Sequence, residues 1–190
     1  MPTILDNLSE GTRLVTALRN TFSYYSTVDV ATGYLDLRGW AHLADLVDAK
    51  PLPADRPVAR VLVGMVAPSD SEQLLTSLQQ QVRPPEYGAD IPDASKARER
   101  RDQLVRHLRN QLMRGLATRQ GQETLRTLRR QMAEGRVELR VFTPRPLHGK
   151  TYLFHGAGGG PATRWGYVGS SNLTGAGLTS NLELNVDVAD

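Results

Sequence analysis

His148-Gly149-Lys150 and Gly169-Ser170-Ser171-Asn172 place an imidazole, an ammonium, hydroxyls and an amide in two neighbouring segments. These groups can grip a phosphodiester and attack it without a metal. An imidazole titrates near neutral pH and serves as a nucleophile or a proton carrier. The Lys150 ammonium is a point charge for a phosphate oxygen. Ser170, Ser171 and Asn172 add neutral donors where negative charge builds up. Glu183 is placed to accept a hydrogen bond from His148, which would fix the tautomer and orient the ring.

The spacing of these residues says what must hold them. His148 and Lys150 are two apart, so on a strand their side chains share one face. Ser170 and Asn172 repeat that spacing at the end of the next strand. Strands are expected at 26–35, 58–65, 137–142, 151–154, 165–168 and 182–188, where β-branched and apolar residues cluster or alternate. Helices are expected at 11–24, after Gly39, and from a Ser69/Glu72 capping box carrying Leu74, Leu75, Leu78 and Val82.

A long helix should follow an N-cap at Asp93, with Leu104, Leu108, Leu112 and Leu116 as one buried stripe. A shorter one carries Leu125, Leu128 and Met132 and ends near Gly135. Gly156 to Pro161 reads as a glycine-rich hairpin turn, and His155 as a hairpin histidine without a role. Strands alternating with helices give an α/β fold, a mixed central β-sheet flanked by helices.

The chain has 190 residues, one domain's worth, and no cysteine. Disulfides, thiolate metal sites and a cysteine nucleophile are therefore excluded. No apolar run is long enough to span a bilayer and no signal peptide is visible, so the expectation is a cytoplasmic protein that does not meet the membrane. Net charge is only +3, but 96–130 carries eleven Lys and Arg against Glu99, Asp102 and Glu123, a balance of +8. Arg106 and Arg109 in this stretch, and Arg145 before the His-x-Lys, are candidate contacts to a polyanion. The alternative is a solvated helix face.

On these residues the chain resembles the phospholipase D superfamily. His148-Gly149-Lys150 followed by Gly169-Ser170-Ser171-Asn172, with Glu183 eleven residues on, matches its hallmark. The segments around them look most like the phospholipase D-like domains of bacterial helicases and of metal-independent restriction nucleases. Upstream, a strand ending at Gly64 and another at Gly33-Tyr34 fit the family's fold, a phospholipase D-like sandwich. One position departs from the pattern: the family's Asp falls on His155.

The resemblance implies a metal-independent nuclease acting on DNA, with no cofactor. The family's chemistry uses two His-x-Lys copies, and this chain has one, since neither His42 nor His107 has a Lys two residues on. A homodimer sharing one site is therefore expected. One His148 would form a phosphohistidine and the partner's would act as acid and then base. The family likeness further suggests an N-terminal fragment of a larger helicase-type protein, with a helicase or ATPase region beyond Asp190 and a role in antiviral defence. The competing reading is a non-catalytic DNA-binding and dimerisation module of such a helicase.

Overall fold

In the computed structural model, residues 3–64, 94–114, 117–142, 147–156 and 163–189 are described. Among them one mixed sheet is built from β1 (Ile4–Leu5), β2 (Thr27–Thr32), β3 (Ala59–Val63), β4 (Val137–Val141), β5 (Thr151–His155), β6 (Arg164–Gly169) and β7 (Asn185–Ala189). The strand order is β1-β7-β6-β5-β2-β3-β4. β2, β3 and β4 run parallel, while β5, β6, β7 and β1 are each antiparallel to the neighbour before them. Parallel neighbours need crossovers, and helices supply them. The helices are α1 (Leu14–Tyr24), α2 (Leu37–Ala41), α3 (Ala44–Ala49), α4 (Ala94–Arg114), α5 (Arg119–Ala133) and α6 (Gly175–Thr179), with α2 and α3 between β2 and β3, and α4 and α5 between β3 and β4. The α/β expectation of a mixed sheet with helices holds.

The core lies between one sheet face and the helices. Val28, Val30, Val61, Val63, Tyr152 and Phe154 alternate toward it. Leu14, Leu18 and Phe22 recur every four residues on α1 and are fully buried against them. Phe22, Phe154 and Tyr167 pack ring against ring, with Phe154 and Tyr167 nearly perpendicular at 6.4 Å. One buried polar residue ties the helices together. Gln131 on α5 accepts from Trp40 Nε1 at 3.0 Å and donates to the carbonyl of Ala44 at 2.8 Å, which links α2 and α3 to α5.

The differences from the sequence reading have local causes. Gly39 lies inside α2, because Asp36 caps that helix by accepting from Gly39 N at 2.7 Å. The final ladder begins only at Asn185, and Leu182 and Leu184 before it are exposed. Leu108 is buried while Leu104 and Leu112 are half-buried, and Met132 faces solvent. The capping-box helix from Ser69, the Asp93 cap, Leu116, Arg145 and most of the glycine-rich turn lie outside the described residues.

His155 closes β5 and is not an idle hairpin residue. Its Nε2 lies 2.9 Å from Asp29 Oδ2 on the neighbouring strand. Asp29 also binds Arg56 at 2.7 Å and Arg60 at 2.5 Å. Burial pushes the Asp29 carboxyl up, but the hydrogen bond from Arg60 and the nearby Arg56 charge outweigh it and hold the carboxyl below its usual range.

Candidate functional site

The His-x-Lys run crosses the sheet at the C-terminal ends of β3 and β2. Leu147 lies on Gly64, just past β3, with Leu147 N donating to Gly64 O at 3.3 Å. A Cβ at Gly64 would stand 2.1 Å from Leu147 Cβ, so only glycine admits this crossing. At the other end the Lys150 carbonyl accepts from Gly169 N at 3.2 Å, which ties the run to the Gly-Ser-x-Asn segment. Residues 147–150 therefore precede the β5 ladder instead of forming a strand themselves.

The two side chains still meet: Lys150 Nζ is 3.1 Å from His148 Nδ1. Their surroundings differ. Lys150 is only 6% exposed, whereas His148 is open to solvent. An ammonium has donors only, so with Lys150 as the donor Nδ1 is the acceptor, and Nε2 is the nitrogen left for other partners. That nitrogen stands on the exposed ring.

The second segment arrives at the same sheet end. Gly169 brings β6 against β7 so closely that a Cβ there would be 2.2 Å from the Leu184 carbonyl. Next to it, Ser170 Oγ donates to Glu183 Oε2 and accepts from Leu184 N at 2.9 Å. Glu183 also takes a longer contact from Asn181 Nδ2 at 3.5 Å. Within one chain the carboxylate thus engages Ser170, and the expected hydrogen bond to His148 is not the one it makes. Its charge nonetheless reaches β5. The Tyr152 hydroxyl, fully buried and donating to the Ser171 carbonyl at 3.0 Å, is pushed up by burial and further by Glu183.

Asn172 is held from β2's end. Its Oδ1 accepts from Tyr34 N at 3.0 Å, which turns both Nδ2 hydrogens the other way. The next residue is fixed too: Leu173 N donates to Thr32 Oγ1 at 3.0 Å, and the Leu173 carbonyl accepts from Asp36 N at 3.1 Å. Asp36 Oδ1, already capping α2, accepts from Gly175 N at 3.0 Å. One carboxylate oxygen therefore clamps two helix starts around the Asn172 turn. Thr32, Tyr34 and Asp36 escaped the sequence reading. The Gly33-Tyr34 pair was visible, but nothing local says that its backbone N–H orients an amide 138 positions away.

The remaining candidates fall elsewhere. Ser171 is fully buried, and its Oγ accepts from Asn185 Nδ2 at 2.8 Å. Ser171 N donates back to Asn185 Oδ1 at 3.3 Å, so this side chain locks β7 to the loop and does not face a substrate. Arg106 and Arg109 are exposed on α4, which packs by β4 at one edge of the sheet.

Among the described residues no helix is long and apolar enough to cross a membrane, and no group of three His, Asp or Glu side chains gathers where a metal could sit. None of the curated proteins matches the chain. The sequence profile of the family described as cardiolipin synthase, PLD-like domain, matches residues 74–190. That stretch holds the His-x-Lys run, the Gly-Ser-x-Asn turn and Glu183. The match covers more than half of the 190 residues. The chain therefore belongs to the PLD-like domain family, whose domains generally act on phosphodiester bonds.

Proposed function

We propose that the chain is a phosphodiesterase that cleaves DNA without a metal, through a phosphohistidine, in a site completed by a second copy. The observation that carries this reading is the junction just described. His148 with Lys150, Ser170 with Glu183, and Asn172 with its amide turned by Tyr34 stand together at one sheet end. The +8 balance over residues 96–130 supports a polyanionic substrate.

In the first step a ring nitrogen of one His148 attacks phosphorus and the bond to the leaving oxygen breaks. The second copy's His148, as the imidazolium, gives that oxygen a proton and becomes the neutral ring. In the second step the same imidazole takes a proton from water, whose oxygen attacks phosphorus and releases the first His148. Lys150 and Asn172 Nδ2 bind the non-bridging oxygens as charge builds. Ser170, oriented by Glu183, borders the same phosphate.

One chain supplies one such imidazole, so the reading needs a partner. Leu182 and Leu184, on either side of Glu183, are 74% and 61% exposed. Apolar side chains this open beside half a site favour a second copy covering them.

The test is supercoiled plasmid incubated in EDTA with the wild type and with His148→Ala. Nicking by the wild type alone supports the reading. Salt-sensitive binding without nicking supports the non-catalytic DNA-binding module instead. Equal nicking by both proteins removes His148 from the chemistry.

A further inference from the structure

A cavity of about 450 Å³ lies between α2, the first turn of α5 and α6. Gly121 and Gly175 contribute no side chain to its walls, while Arg38, His42, Gln120 and Ser180, with the hydroxyls of three threonines, supply its polar groups. The volume falls within the range of roughly 300–1,000 Å³ in which proteins seat a small ligand.

The polar groups divide the cavity into two chemical zones. Arg38 lies against Gly175, and its side chain is 78% exposed, with one loose ion pair among the described residues, 3.5 Å to Asp36. A guanidinium carries five donors, so most of this fork is open to an incoming anion. His42, at the end of α2, is half-buried. Burial, helped by the Arg19 charge, holds its imidazole below the usual range and so neutral at pH 7. A neutral imidazole and a Gln amide each offer one face that donates and one that accepts. That mixture matches the edge of a nucleobase, and the anion-binding fork beside it matches the phosphate of the same nucleotide.

The position suits this too. Gly175 is three residues past Asn172, at most about 11 Å of chain. A DNA strand advances about 3.4 Å per nucleotide along the helix axis. The cavity mouth is thus within about three nucleotides of a phosphate bound at Asn172.

We propose that this cavity is a nucleotide subsite, which takes the base of an unpaired nucleotide about one to three positions from the scissile phosphate, with Arg38 on that nucleotide's phosphate and His42 and Gln120 at the base edge. The inference rests on the phosphodiesterase reading above and deepens it: the substrate is a strand with at least one base free to leave the stack.

The test measures binding of a labelled single-stranded oligonucleotide to His148→Ala protein across a salt series. Arg38→Gln on this background should weaken binding about 5- to 10-fold and flatten the log–log salt slope by about 0.7, one phosphate contact on a single strand. His42→Ala with Gln120→Ala should weaken binding about 10-fold at unchanged slope, and a perfectly paired duplex should be much less affected. Unchanged melting temperatures establish that the variants fold. If the His148→Ala parent binds the strand and both sets of changes leave affinity and slope untouched, the subsite is wrong while the phosphodiesterase reading stands. A parent that binds no strand at all overturns both.

Discussion

Lys150 Nζ sits 3.1 Å from His148 Nδ1, yet the lysine is buried and the histidine is open. The ammonium thus holds one nitrogen of an exposed ring from within. Lys150→Met keeps the aliphatic stem in its buried slot and removes the donor. We expect DNA cleavage to fall about 100- to 1,000-fold, as when one preorganised donor is lost. The melting temperature should stay close to the wild type. Single-turnover rates alongside thermal unfolding check both parts.

Asn172 separates holding from binding. Its Oδ1 accepts from Tyr34 N, and its Nδ2 is the donor proposed for the phosphate. Asn172→Asp preserves an acceptor for Tyr34 but puts a negative oxygen where the phosphate should bind. The variant should fold like the wild type and lose roughly 100-fold or more in kcat/KM. Loss of folding together with activity would instead mark Asn172 as a structural residue.

Ser170 and Ser171 are adjacent but face different worlds. Ser170 engages Glu183 at the site, whereas Ser171 is bonded to Asn185 in the core. Ser171→Ala should cost about 1 kcal/mol of stability and leave the rate per folded molecule unchanged. Ser170→Ala should lower the rate with little change in stability. Urea unfolding paired with initial rates distinguishes the two.

Asp29 predicts a pH dependence of stability. Its carboxyl is held below the ordinary 3.8 in the folded chain. A depressed carboxyl contributes stability that is present above the unfolded value and is lost as pH falls through the folded one. The wild type should lose stability below about pH 4, and Asp29→Asn should lack this part of the loss. Melting temperatures between pH 7 and pH 3 read it directly. Since His155 bonds the same carboxylate, His155→Ala should leave the Arg56 and Arg60 pairs in place and weaken the acid response only in part.

Much of the sheet was legible in the sequence because apolar alternation and β-branched runs mark strands wherever one face is buried. Val58 to Met65 and Thr151 to Phe154 are such runs. The site's motif was legible through residue types and spacing. Its supports were not, because they are contacts between segments far apart in sequence. Tyr34 uses a backbone N–H that any residue has, and Asp36 reads locally as a helix cap while also binding Gly175. Ser171 shows the opposite failure. A hydroxyl inside a binding motif looks like a ligand contact until Asn185 is seen to own it. His155 looked idle because its partner sits on a strand more than a hundred residues earlier.

Mixing tests most directly whether two chains build one phosphodiesterase site, as proposed. Wild-type and His148→Ala chains are co-refolded in varied proportion, and DNA cleavage in EDTA is measured against the fraction of wild-type chain. A site needing both His148 side chains gives activity that follows the square of that fraction, about one quarter at an equal mixture of freely pairing chains. A straight line, with about half the activity at an equal mixture, would show that each chain works alone and would contradict the account.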